Sequence, residues 1–420
     1  MIDLNLIQIL IGEFYDKLDL IQEIVPRDAR FPEAANKIKV AIGMRRAGKT
    51  YFVFQHIIKL LNEGIDKKRI LYVNFEDDRL LPLNEQKLAK IVDDFYRLYP
   101  ENYVNKCYLF FDEIQNVDGW PIVIRRMHDT KNAEIFLTGS SAKMLSKEIS
   151  TTLRGRSLSV EIWPFSFNEF LQAKNISIDR SLFGKKTAHQ LFQAFQMYMS
   201  EGGFPEIISY NPDDRQRTLQ DYLDVVIFRD IIERQQIKNP SLIKYMILSM
   251  VHNAGKPFAI NKFYHDCKSQ GYQIGKDILY EYAVHIEDTY LAFFVPLFEK
   301  SIRKSSTNPK KLYAIDPGMV RALTLDYEKD LGRLFENIVY LDLRRLNCKI
   351  NYFMTSEGYE IDFIAQTPRG HKKFFQVAWN ADDQKTMERE KRALESGIKE
   401  LSIEGEIITL ESYLRHGIRL

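Results

Sequence analysis

Apolar residues follow two different periods along this chain. Through residues 1–37, Leu6, Leu10, Phe14, Leu18 and Ile21 recur at close to helical spacing. They predict a helix packed on the domain that follows, then a loop through Pro26 and Pro32. The apolar run from Ile38 to Ile42 reads as a buried strand; it breaks at Gly43, and a helix-like pattern covers 51–61. Further strand-like runs lie at 70–75, 107–111, 134–138 and 158–162, spaced by helix-length segments. Strands that alternate with helices in this way predict a parallel α/β sheet.

Beyond Trp163-Pro164 the texture changes. Residues 166–240 read as a helical lid with a turn at Gly202-Gly203 and Pro205. Residues 241–320 read as three helices (242–251, 260–267, 277–291) and a β-hairpin, which is the winged-helix plan. Residues 321–420 read as a helix at 334–345, strands near 352–353, 359–364 and 374–379, and a helix at 387–394. The expected organisation is therefore an N-terminal helical segment (1–37), a parallel α/β core (38–165), a lid, a winged-helix-like region and a last α/β domain.

Composition adds little beyond class. With 45% hydrophobic and 28% charged residues and a net charge of +2, the 420-residue chain is soluble and globular in composition and spans several domains. Cys107, Cys267 and Cys348 are too far apart for a zinc site or a disulfide framework, and the eight histidines are scattered. No signal design opens the chain, and the longest apolar segment, 290–298, is too short to span a bilayer. A cytoplasmic protein without a membrane partner is the expectation.

The first candidate chemistry sits at the break after the 38–42 strand. Gly43-Met44-Arg45-Arg46-Ala47-Gly48-Lys49-Thr50 fits G-x-x-x-x-G-K-T between a strand and a helix. Glycines let backbone N–H groups turn inward around phosphates, and the helix N-terminus adds partial positive charge. Lys49 is placed to reach the β- and γ-phosphates and the Thr50 hydroxyl to hold Mg²⁺. The expected nucleotide set is Gly43, Arg45, Arg46, Ala47, Gly48, Lys49, Thr50 and Tyr51, with Asp112 and Thr138. The strand at 107–111 ends in Asp112-Glu113, a carboxylate for the metal followed by one to orient and activate water. One further strand, 70–75, separates it from the P-loop strand along the chain, the order of P-loop ATPases that carry a catalytic glutamate. The 134–138 strand ends in Thr138-Gly139-Ser140-Ser141, whose polar tip would sense the γ-phosphate. Arg154 or Arg156, before the last strand, would complete a neighbouring subunit's site, which implies an oligomer.

These motifs together carry a resemblance. Residues 38–165 resemble the core of the AAA-type P-loop ATPases. The whole chain resembles a group of prokaryotic ATP-binding proteins with a C-terminal domain of unknown function, DUF4143. The stretches that carry it are Gly43 to Thr50 with its double arginine, Phe110-Phe-Asp-Glu-Ile-Gln115, Thr138-Gly-Ser-Ser, Leu153-Arg-Gly-Arg156, Gly202-Gly-Phe-Pro-Glu206, Phe228-Arg-Asp-Ile231, Tyr313-Ala-Ile-Asp-Pro-Gly318 and Leu334-Phe-Glu-Asn337. The resemblance implies ATP binding and hydrolysis with Mg²⁺ and says little about a substrate.

Two downstream regions bear on partners. The proposed wing holds Lys300, Arg303, Lys304, Lys310 and Lys311, a set suited to neutralising phosphates. The helix before it carries Asp277, Glu281, Glu287 and Asp288, which argues against deep entry into a groove. DNA and a protein partner thus both remain open. The last hundred residues resemble the PD-(D/E)XK nuclease fold, which implies a metal site at Glu336, Asp362 and Gln376, with Glu360 nearby. The lysine of that motif is replaced by Ala378; Lys385 or Lys391 could substitute from the next helix, and a decayed site kept as a binding platform is the simpler expectation. The reading is an ATPase whose nucleotide state is coupled to a C-terminal binding module. The alternatives are a nucleotide-gated regulatory protein with little turnover and an ATP-licensed, metal-dependent DNA nuclease.

Overall fold

The computed structural model describes residues 4–21, 23–139, 153, 155–181, 183–299, 308–324, 331–381 and 383–420. The chain divides into two compact units, Met1–Trp163 and Pro164–Leu420.

The first unit is built on strands β1 (Ile38–Ile42), β2 (Ile70–Asn74), β3 (Cys107–Asp112), β4 (Ala133–Gly139) and β5 (Ser157–Glu161). They form one parallel sheet in the order β2-β3-β4-β1-β5. β1 and β3 are buried along their whole length, as parallel strands covered on both faces must be. Along the chain β2 precedes the acid-bearing β3, but in the sheet β4 stands between β1 and β3 while β2 takes the edge. The chain crosses from β1 to the far edge and returns strand by strand. Because all five strands run the same way, the C-terminal ends of β1, β3 and β4 gather at one edge, where α/β sheets bind ligands.

Helices α1 (Leu4–Asp19), α2 (Lys49–Asn62), α3 (Glu85–Leu98) and α4 (Trp120–Thr130) belong to this unit. The buried stripe of α1 is Ile7, Ile11, Phe14 and Leu18, while Leu6 and Leu10 are only half-buried. A strict i+4 series from Leu6 drifts about 40° per step around a 3.6-residue helix, whereas alternating steps of four and three hold one face. Phe14 stacks on Tyr72 with ring centroids 4.5 Å apart and also meets Phe54. Burying that ring contributes roughly 1.5–3 kcal/mol.

The second unit starts with α5 (Phe167–Ala173), α6 (Lys185–Glu201) and α7 (Pro212–Val225), which runs on into a π-helical stretch at Val226–Glu233. Then come α8 (Pro240–His252), α9 (Ile260–Ser269) and α10 (Lys276–Asp288). Strands β6 (Pro257–Phe258), β7 (Ala292–Val295) and β8 (Lys310–Ala314) form an antiparallel sheet ordered β6-β8-β7. Lys300, Arg303 and Lys304 of the expected wing lie outside the described residues. Lys311, counted with them on sequence, points into the protein at 2% exposure. β8 is the central strand of its sheet, and every residue of it after Lys310 is buried.

After α11 (Pro317–Leu323) and α12 (Leu331–Arg345), strands β9 (Lys349–Met354), β10 (Glu360–Gln366), β11 (Lys372–Ala378) and β12 (Gly405–Thr409) make a sheet ordered β12-β11-β10-β9. β12 has no counterpart in the sequence reading. Its pairing with β11 is parallel, which requires a crossover, and α13 (Gln384–Leu401) supplies it before α14 (Leu410–His416) ends the chain. Among the described residues no helix is long and apolar enough to cross a membrane.

Candidate functional site

Backbone conformation makes the loop after β1. Gly43 has φ +154, and a Cβ there would collide with the Ile162 carbonyl of the neighbouring chain segment. Gly48 caps α2 in the left-handed region at φ 96. The helix starts at Lys49, so the N–H groups of Lys49, Thr50 and Tyr51 have no partner inside it and face the loop as an anion-binding end. Lys49 is 5% exposed, and its Nζ donates to the carbonyls of Gly43 at 3.2 Å and Met44 at 3.1 Å. Two loop residues carry positive charge: Arg45, paired with Glu76 at 3.2 Å, and Arg46, held at φ 67. Arg27, which sequence reasoning missed, braces the loop by donating to the Ala47 carbonyl at 3.1 Å and to the Trp163 carbonyl.

Opposite the loop, Asp112 ends β3 with three hydroxyls on its carboxylate. Oδ2 accepts from Thr50 Oγ1 at 2.8 Å and from Tyr72 at 2.8 Å, and Oδ1 accepts from Thr138. Burial and the adjacent Glu113 charge push the Asp112 carboxyl above its ordinary range, and the three hydroxyls oppose that shift. The Thr138 hydroxyl also accepts the Glu113 N–H at 3.0 Å. It therefore bridges the two acids within the chain.

Glu113 adopts φ 54, the left-handed region that costs a non-glycine residue on the order of 1–3 kcal/mol. That conformation turns its side chain back to the loop, with Oε1 3.7 Å from Lys49 Nζ and Oε2 accepting from Gln115. Burial pushes the Glu113 carboxyl up, but Lys49, Gln115 and Arg45 outweigh it and hold the group below its ordinary value. It is ionised at neutral pH, the state a general base needs. Tyr72 and Gln115 have no motif signal; their roles come from sheet pairing and a local turn. Helix-end donors and Lys49 suit a triphosphate, and the oxygens of Thr50 and Asp112, 2.8 Å apart, suit Mg²⁺.

The arginines behave differently. Arg154 lies outside the described residues. Arg156 precedes β5, so it stands at the strand-start edge of the sheet, away from its own phosphate loop, where Nε donates to Asp129 at 3.1 Å. The His128 and Arg156 contacts hold the Asp129 carboxyl below its usual range.

The second unit gathers Glu336 from α12 and Glu360 and Asp362 from β10 around a cation. That cation is neither Lys385 nor Lys391, the sequence candidates, but Lys311 of β8. Sequence spacing hides it, because only the fold brings β8 against α12 and β10. Gln376 lies behind Asp362, accepting its N–H at 3.2 Å and donating to Glu390 at 2.5 Å. Ala378 is buried at the end of β11.

Comparison with known proteins adds a family. Residues 35–171 match a family described as "AAA domain", and residues 192–330 match a "Domain of unknown function (DUF8612)". The downstream match is thus to DUF8612, where the sequence resemblance had implied DUF4143. The chain is 35% identical over 408 residues to "Uncharacterized protein MJ1544" of Methanocaldococcus jannaschii, covering 96% of this chain and 88% of that one. It is 29% identical over 332 residues to an "Uncharacterized protein" of Haemophilus influenzae, covering 78% of this chain and 79% of that one. A solved structure, "The walker-type atpase paby2304 of pyrococcus abyssi", aligns with 68% of this chain and 90% of its own at 15% identity and a TM-score of 0.43, a likeness too distant to transfer anything.

Proposed function

Because this chain belongs to one family with the Methanocaldococcus jannaschii protein MJ1544 and carries an AAA-type P-loop ATPase domain, we propose that it hydrolyses ATP with Mg²⁺ and couples nucleotide state to a binding module in its second unit. The observation that carries the reading is the pair of acids at the end of β3. Asp112 shares a hydrogen bond with Thr50 at 2.8 Å, and the next residue, Glu113, is an ionised carboxylate 3.7 Å from Lys49.

In this reading Lys49 and the first-turn N–H groups of α2 bind the β- and γ-phosphates. Thr50 and Asp112 would hold the metal, which would supply charge neutralisation when bound. Glu113 orients a water and takes its proton, and Thr138 fixes both acids rather than meeting phosphate directly. Arg156 serves a neighbouring subunit's site, since it sits at the far edge of its own sheet. The second unit docks DNA or a protein.

The test is ATP turnover by the full chain beside Lys49→Ala and Glu113→Gln, with and without duplex and single-stranded DNA. Lys49→Ala is expected to lose nucleotide binding; Glu113→Gln is expected to bind ATP and retain it unhydrolysed. Wild-type turnover in Glu113→Gln would refute the base assignment. Stimulation by DNA would make nucleic acid the partner of the second unit, and turnover unmoved by DNA would turn the search to proteins.

A further inference from the structure

Lys311 Nζ lies 2.7 Å from Glu336 Oε1, 3.0 Å from Glu360 Oε1 and 3.0 Å from Asp362 Oδ1, and its side chain is 3% exposed. An ammonium has three N–H donors; two donate to Glu336 and Asp362, and Glu360 pairs with the same charge. Tyr313, two residues along β8, donates to the same Glu336 oxygen at 2.6 Å. The other Asp362 oxygen is taken by the Val377 N–H at 3.0 Å. Gln376 and Glu390 close the far side, with Arg389 on Glu390.

Three carboxylate oxygens around one point describe a cation site, and the nuclease-like resemblance implies that the cation is a divalent metal. The residues present do not fit one. A metal coordinated by these oxygens needs roughly 2.0–2.6 Å to each, in the volume that the ammonium nitrogen fills. Bringing a second cation beside a buried ammonium adds like-charge repulsion with little solvent to screen it.

We propose that the Lys311 ammonium is the resident cation of this site, which therefore takes no divalent metal. The charge that a metal would supply is instead built into the chain, on a strand of the three-stranded sheet. Its effect is mechanical: it clasps β8 to α12 and β10, so the hairpin before it and the four-stranded sheet after it move together. A clasp of this kind suits a docking platform and leaves no open coordination position for hydrolytic chemistry.

The test is Mn²⁺ binding followed by electron paramagnetic resonance on the full chain without nucleotide. Asp112→Asn is present throughout, so that the phosphate site contributes no carboxylate. With Lys311 intact, no stoichiometric Mn²⁺ binding is expected. Adding Lys311→Met should create one Mn²⁺ site per chain, and further adding Asp362→Asn should remove it. One equivalent of Mn²⁺ bound by the Lys311-containing chain and lost with Asp362→Asn would overturn the proposal. So would a Lys311→Met chain that keeps its circular dichroism but gains no Mn²⁺. Should Lys311→Met fail to fold, the measurement on the Lys311-containing chain decides by itself.

Discussion

Replacing Thr138 by Val tests the site most sharply, because it keeps the side-chain shape and removes only the hydroxyl. That hydroxyl is buried at 1% exposure and joins the two acids, donating to Asp112 and accepting the Glu113 N–H at 3.0 Å. Thr138→Val leaves the Glu113 N–H buried without its acceptor, a cost of roughly 1–3 kcal/mol, and removes a hydrogen bond to a carboxylate worth roughly 1.5–3 kcal/mol. Asp112 keeps its bonds to Thr50 and Tyr72, so the lower half of the combined range applies, about 3 kcal/mol. For a unit of this size that lowers the melting temperature by roughly 6–12 °C. Turnover should fall at least about tenfold, since Glu113 loses the tether on its strained backbone. Thr138→Ser keeps the hydroxyl and should recover most of both losses. Calorimetry and ATP turnover on the three proteins are the assay. A Val variant that melts and turns over like wild type would refute the bridging role. A Ser variant as impaired as Val would refute it too, because the lost methyl would then be the cause.

Other expectations follow from neighbouring groups. Tyr72→Phe removes a donor that favours the ionised Asp112, so the acid limb of the ATPase pH profile should move to higher pH with about 1 kcal/mol lost in stability. Gly43→Ala should abolish nucleotide binding in equilibrium titration, because its Cβ meets the Ile162 carbonyl at a backbone angle that L residues avoid. The two units should respond oppositely to pH. Burial and Asp362 raise Glu336 to about 7, and burial raises Asp316 to about 6. A raised acid contributes stability that is lost as pH rises through its folded value, so the Pro164–Leu420 transition should drop between pH 5.5 and 7.5, on the order of 2 kcal/mol from Glu336. Burial beside Lys39 and Lys59 lowers His56 to about 4, so the Met1–Trp163 transition should instead weaken as pH falls from 7.5 to 5.5, on the order of 1 kcal/mol. Calorimetry at both pH values, with Glu336→Gln reducing the first response to the part from Asp316 and His56→Asn flattening the second, checks the assignment.

Local chemistry is legible in the residues alone. Gly43 to Thr50 makes a phosphate loop because glycine backbone freedom and a helix start within eight residues are sufficient for one. Asp112 and Glu113 are legible in a similar way, as two adjacent acids directly after an apolar strand-length run. Strand-length apolar runs located all five strands of the first sheet. The half-buried β12 has weaker contrast between its faces, and its strand signal is lost.

Which groups meet across the chain depends on the fold. β4 stands between β1 and β3 because the chain returns from the sheet edge, and that order puts the Thr138 hydroxyl on both acids. Tyr72 reaches Asp112 because β2 pairs with β3 in register, Asn74 beside Asp112. Lys311 reads as one more cation in a basic loop, and no spacing links it to carboxylates 25 and 51 residues away. Desolvation forces the pairing. A lysine on a buried central strand must find carboxylates or lose its charge, and the fold supplies three at one point.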